Sequence, residues 1–155
     1  MKAERKIIVA ISAIVLIGLA VTVIVQAASI YTIKNDQELK FQSHISSAVY
    51  SLEEYKETGY GFKYQDALME LHSAASIANL LQDRDEYEGM QGVLLSIVGT
   101  YYSFPEDLAL FTDELIEVLN AFIVHHNVEN LYTKLIGINN RLTAMLFERL
   151  EPPVA

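Results

Sequence analysis

The chain has no cysteine and no tryptophan, and only three prolines and seven glycines in 155 residues. Without cysteine there can be no disulfide, no thiolate nucleophile and no Cys-based zinc or iron–sulfur site. The prolines stand at Pro105, Pro152 and Pro153, so everything before Pro105 is free of the commonest helix breaker. Positive charge is also scarce. Residues 34–155 carry eight Lys and Arg against nineteen Asp and Glu, a formal net charge of −11. A surface this acidic repels nucleic acid and anionic headgroups, which excludes nucleic acid as a partner. No Asn-x-Ser/Thr sequon occurs. No stretch alternates apolar and polar residues for long enough to be read as a strand.

The most informative absence is local. From Ile7 to Ile33 there are 27 consecutive residues without a charge, mostly Ile, Val, Leu and Ala. As a helix this run measures about 40 Å, against a hydrocarbon core of about 30 Å. In lipid a lone segment must satisfy its own backbone, so a helix is the state expected. Lys2, Arg5 and Lys6 precede the run against the single acid Glu4, and Lys34, then Asp36 and Glu38, follow it. The positive-inside rule then makes residues 1–6 a cytoplasmic basic tail, 7–33 a single transmembrane signal anchor and 34–150 an extracytoplasmic domain. Tyr31 falls at the outer interface. The alternative is a cleaved signal peptide, with Val25-Gln26-Ala27 as the processing site and a secreted product, although the apolar stretch is longer than a usual signal core of about 7–15 residues. Gly18 and Thr22 form a small-xxx-small pair, the spacing at which membrane helices self-associate, and so provide for a homo-oligomer.

Beyond the span the apolar period is helical throughout. Phe41, Ile45, Ala48, Leu52 and Tyr55 mark a first stripe over about 36–58, which the membrane helix can enter directly. Gly59-Tyr60-Gly61 ends it. Ala67, Leu71, Ala74, Ala78 and Leu81 mark a second over about 62–82. Tyr87, Met90, Leu94, Ile97, Tyr101 and Phe104 mark a third, expected to begin near Glu86. Gly89, Gly92 and Gly99 weaken that helix by about 1 kcal/mol each relative to Ala. After Pro105 come Leu108, Phe111, Leu115, Val118 and Phe122. After Asn127 come Leu131, Leu135, Ile138, Leu142 and Met145. Amphipathic helices joined by short turns give an all-α fold: one N-terminal transmembrane helix, then an up-and-down antiparallel bundle of four to five helices, with 151–155 a disordered tail. Gly89–Pro105 is uncharged over 17 residues, but Gln91, Ser96, Thr100 and Ser103 make it a bundle helix rather than a second span.

Candidate chemistry is sparse. Asp83-Arg84-Asp85-Glu86-Tyr87-Glu88 fails as a calcium loop: its fifth position is Tyr87, its sixth Glu88 where glycine is needed, its twelfth Leu94. Asp85 with Glu88, and Ser103 with Glu106, read instead as capping boxes, and Asn127 as a further cap. His125 and His126 point about 100° apart on a helix and cannot share one metal as i, i+4 histidines do. Glu70-Leu71-His72 lacks the Glu-x-x-His spacing of di-iron bundles, and His44 and His72 read as isolated. No G-x-S-x-G, H-E-x-x-H, P-loop or G-x-G-x-x-G is present. The expectation is a non-enzymatic chain without cofactor or metal.

Nine tyrosines remain to be explained. Tyr50, Tyr55, Tyr60 and Tyr64 gather about the first turn, and Tyr101 and Tyr102 about the third. Tyrosine suits half-buried rims and interfaces, so these six are the candidate partner surface. The expected function is that of a membrane-anchored interaction module, an accessory or regulatory subunit whose partners are the bilayer and another protein. The alternative is a ligand-sensing bundle. In layout alone the chain is similar to the exterior half of bacterial chemoreceptors and sensor kinases, which return through a second span to a cytoplasmic output domain. No motif accompanies that likeness, and the sequence to Ala155 contains neither part.

Overall fold

The structure, a computed structural model, describes the backbone of residues 2–103 and 105–150 and the side chains of 14–103 and 110–148. The expectations placed on Phe104, on Leu108, on the Ser103–Glu106 capping box and on the 151–155 tail lie outside the described residues. Five α-helices account for nearly the whole chain: α1 (Lys2–Thr58), α2 (Gly61–Leu80), α3 (Met90–Ser103), α4 (Pro105–His125) and α5 (Val128–Leu150), with a single 3-10 turn at Asp85–Tyr87. The described residues contain no strand. The chain divides into two units, Met1–Asp36 and Gln37–Ala155.

In the first unit the backbone is helical and the described residues bury none of their apolar surface. Ile14, Leu16, Leu19, Ile24 and Ile33 are each more than half exposed. Polar side chains in this stretch turn back on their own helix. Thr22 donates to the Gly18 carbonyl at 2.9 Å and Thr32 to that of Ala28 at 3.0 Å. Among the described residues this is the one helix long and apolar enough to cross a membrane. Length and composition fit a signal sequence equally well.

The second unit is the bundle, and the stripes legible in the sequence are its core. Phe41, Ile45, Ala48 and Leu52 of α1 are buried, as are Ala67, Leu71, Ala74 and Ala78 of α2 with Leu81 just beyond it. Met90, Leu94, Ile97 and Tyr101 of α3, Leu115, Val118 and Phe122 of α4, and Leu131, Leu135, Ile138 and Leu142 of α5 complete it. Full burial of a Leu, Ile or Phe side chain contributes about 1.5–3 kcal/mol. Four alanines on the inner face of α2 let its neighbours approach closely.

Pairwise contacts fix the topology. His44 meets Glu70, and Glu54 meets Lys63, so α1 and α2 run antiparallel. Phe41 packs edge-on to Phe122 at 5.6 Å while Lys56 pairs with Asp113, so α1 and α4 are antiparallel as well. Ser96 donates to Asn139 at 2.7 Å and Gly89 abuts Tyr132, which sets α3 parallel to α5. Around the bundle the order is α1, α2, α3, α5, α4, closing on α1.

The third helix departs from the expectation at its start. The sequence placed it near Glu86 behind an Asp85–Glu88 capping box. Instead Asp85–Tyr87 forms one 3-10 turn whose N-cap, Arg84, makes no side-chain cap, and Glu88 is extended. Gly89 then adopts φ +76°, and a Cβ there would lie 2.5 Å from the Tyr132 hydroxyl oxygen. Gly89 is thus a left-handed break required by the approach of α5, and the helix begins only at Met90. The fourth and fifth helices behave as read: His126 closes α4 at φ 51°, and Asn127 caps α5 by accepting from the Asn130 amide at 2.8 Å.

Candidate functional site

The α1–α2 turn builds one end of the candidate surface. Gly59, at φ +70°, donates its amide to the Tyr55 carbonyl at 2.8 Å and stops α1 in a left-handed cap. The chain that follows lays Tyr60 against Phe62, rings stacked with centroids 5.6 Å apart. The Lys63 ammonium lies 5.3 Å from the Phe62 centroid and 2.8 Å from Glu54. Its hydrogen bond to Glu54 raises the Lys63 pKa above the usual lysine range. One residue on, Tyr64 turns inward, packs against Tyr55 at 5.5 Å and donates its hydroxyl to the Tyr101 carbonyl. That bond fastens the turn to the end of α3.

The six tyrosines singled out in the sequence therefore separate into two groups. Tyr64 and Tyr101 are core residues, 8% and 0% exposed, and are not part of any surface. Tyr55 is half-buried against them. Tyr50, Tyr60 and Tyr102 are exposed, Tyr102 at 77%. The parity of the pair Tyr101-Tyr102 decides this split, since neighbours on a helix point about 100° apart. Burial pushes the phenols of Tyr64, Tyr101 and the more distant Tyr87 well above the ordinary tyrosine value. Tyr87 and Tyr101 hydroxyls have no hydrogen-bond partner among the described residues.

From Tyr102 the surface continues along α2 and α3 in a way the sequence reading missed. The outward row of α2 is Phe62, Gln65, Met69, His72, Ser76 and Leu80. Its charged residues, Lys63, Asp66 and Glu70, are half-buried off this row, and Lys63 and Glu70 are engaged by α1. The outward row of α3 is Gly92, Leu95, Ser96, Gly99 and Tyr102. Among these described residues there is no Asp, Glu, Lys or Arg. An open groove of about 560 Å³ runs between the two helices, with Leu68, Met69, His72, Val98 and Tyr102 along it. Every other bundle helix exposes charge: Lys40, Glu53 and Glu57 on α1, Asp113 and Glu117 on α4, Glu129, Lys134 and Arg141 on α5. Half of the face is readable in the sequence, because the 17 residues at 89–105 carry no charge. What hid the rest was that the α2 contribution shows only after its charged residues are known to face α1.

A second concavity, about 580 Å³, lies at the start of α3 between Asp85, Glu86, Glu88, Glu129 and Tyr132. It is acidic, yet no group of three His, Asp or Glu side chains among the described residues converges as metal ligands do. The histidines are dispersed. His44, read as isolated, instead bonds Glu70 at 2.6 Å across α1 and α2. His126 packs edge-on to Phe122 at the end of α4. In the apolar unit nothing lies within 4 Å of a Cβ placed on Gly18, so the Gly18–Thr22 strip is a smooth helix surface.

The class these observations define is an all-α bundle with one apolar, unburied N-terminal helix and one charge-free outer face. Comparison with protein-family models, curated proteins and solved structures finds no match for the chain.

Proposed function

We propose that the chain is a membrane-anchored, extracytoplasmic helical module that acts by protein contact through the α2/α3 face and performs no catalysis. The observation that carries this reading is the charge-free face on a domain of formal net charge −11. Depletion of charge, with Met and Tyr retained, is the compositional mark of an interface core. Tyr102 and Met69, 77% and 65% exposed, are the anchors such a contact would bury. An open groove suits a protein surface better than a small ligand, which is usually enclosed on most sides.

The anchor is supported by different evidence. Ile14 to Ile33 present contiguous apolar side chains to their surroundings, and each such side chain gains on the order of 1.5–3 kcal/mol on leaving water. A bilayer supplies that burial. The basic flank of Lys2, Arg5 and Lys6 orients the N-terminus to the cytoplasm. Gly18 and Thr22 offer a close-packing strip within the bilayer.

Three measurements test the proposal. Co-purification from solubilised membranes should recover a specific protein contact with the natural chain and lose it with Met69→Glu plus Tyr102→Glu. Retention of the same contact by the double variant would sink the assignment of the face. For the anchor, the intact mass of the mature protein should include residues 1–33, and a mass beginning near Ala28 would replace the anchor with a secreted product. Leu19→Arg, which places a charge costing about 2.5–3.5 kcal/mol at mid-span, should release the chain from the membrane or block its insertion.

A further inference from the structure

We propose that the partner on the α2/α3 face is a second copy of this chain, paired through a twofold axis that passes through the face. This rests on the reading of that face as a contact surface and adds the identity of what covers it.

Charge is the first argument. Two copies of a domain with formal net charge −11 repel one another over most approaches. On the α2/α3 face they can meet without burying an acid against an acid, because the described outward rows of both helices carry no charged residue. A basic partner would be steered to the acids of α4 and of the 83–88 turn, whereas a neutral face suits a like-charged molecule. Repulsion between the acidic surfaces then disfavours contacts made through them, which is one way specificity is set against wrong contacts.

Relief is the second argument. A twofold contact must be self-complementary, with the projections of one copy entering recesses of the other. Met69, Leu95 and Tyr102 project from the face. Gly92 and Gly99 of α3 have nothing within 4 Å of a Cβ position, and the groove along Leu68, His72 and Val98 holds about 560 Å³. The same patch thus carries both halves of the fit. Extent is the third. Helix α2 is about 30 Å long and α3 about 21 Å, each about 10 Å across, giving roughly 500 Å² per copy. The total of roughly 1,000 Å² is the size of a small specific interface.

The absence of native cysteine makes the test direct. Single cysteines are introduced into the full chain in solubilised membranes, at Gln65→Cys, Ser76→Cys, Gly92→Cys and Gly99→Cys on the face, and at Glu57→Cys and Glu117→Cys off it. Under mild oxidation at least one face position should form a disulfide-linked dimer, since residues near a twofold axis meet their own copies within bonding distance. The two outer positions should stay monomeric. The native mass of the chain should be that of two copies, and Met69→Glu plus Tyr102→Glu should weaken pairing by at least about 100-fold while leaving helical circular dichroism unchanged, because like charges would then face each other across the contact. Equal crosslinking on and off the face, or a native mass of one copy, overturns the inference. If the mass is that of one copy but the double variant loses a different protein, the contact reading stands and only the self-pairing falls. If neither pairing nor any other contact responds to the double variant, both fall.

Discussion

The two units of this chain are both helical, and both are rich in Leu, Ile, Val and Ala, but they spend their apolar side chains differently. In Met1–Asp36 the apolar residues run around the whole helix and every described one from Ile14 to Ile33 stays exposed within the protein. In Gln37–Ala155 they fall on one stripe per helix, and most of those stripe residues are more than nine-tenths buried. Periodicity makes the difference. A stripe at 3.6-residue spacing can be covered by neighbouring helices of the same chain, whereas an apolar cylinder needs an apolar surrounding. The bundle therefore stabilises itself, and the first unit depends on something outside it.

Truncations of equal kind should break this symmetry most sharply. Phe41→Ala removes a fully buried ring that contacts both Tyr87 and Phe122 edge-on, and should cost about 3–5 kcal/mol of bundle stability in denaturant titrations. Leu19→Ala in the first unit should leave the same transition unmoved, and a shared loss would mean that the two units unfold together.

Alkaline titration sharpens the comparison next. Tyr64, Tyr87 and Tyr101 have raised phenol pKa values because burial disfavours the phenolate. The folded state holds these protons more tightly than the unfolded state. Their contribution is thus complete below about pH 10, the unfolded value, and declines as pH rises above it. Bundle stability should fall from about pH 10 upward, with phenolate absorbance from these three appearing together with the loss of helical signal. Ionisation of all nine tyrosines in one step ahead of unfolding would contradict their burial.

Smaller effects test individual positions. Gly89→Ala forces a side chain into a left-handed conformation and against Tyr132, and should destabilise by about 1–3 kcal/mol. Gly137→Ala on α5 has open space and no positive φ, so it should stabilise by up to about 1 kcal/mol. Asn127→Ala loses the cap of α5 and should cost about 1 kcal/mol. Last, Tyr64→Phe gives up its bond to the Tyr101 carbonyl and should cost about 1 kcal/mol. Tyr101→Phe removes an oxygen that bonds no described group, and should be neutral or slightly stabilising; a large loss there would reveal a partner for that hydroxyl.

Much of the bundle was legible because burial repeats at the helical period. All the stripe residues of α2 named from sequence are buried, and the breaks at Gly59 and Asn127 fall where turn chemistry put them. The start of α3 was misread because local capping chemistry at Asp85 and Glu88 competes with a close approach of Tyr132, and that approach is not a local property. The candidate surface was only half legible. Tyrosine clustering pointed to the right end of the bundle, but the clustering could not separate Tyr101, which is buried, from Tyr102, which is exposed.

By itself the sequence determined an unbroken apolar helix at the N-terminus and five helical segments with defined apolar stripes, since these follow from short-range composition and period. Only the tertiary structure decided which charges are engaged and which faces are left bare. Glu54 with Lys63 and His44 with Glu70 join across α1 and α2, and that pairing holds Lys63 and Glu70 on the α1 side of α2. The charge-free α2/α3 face is the result, and it depends on which helices become neighbours, a matter of packing between segments far apart in the chain.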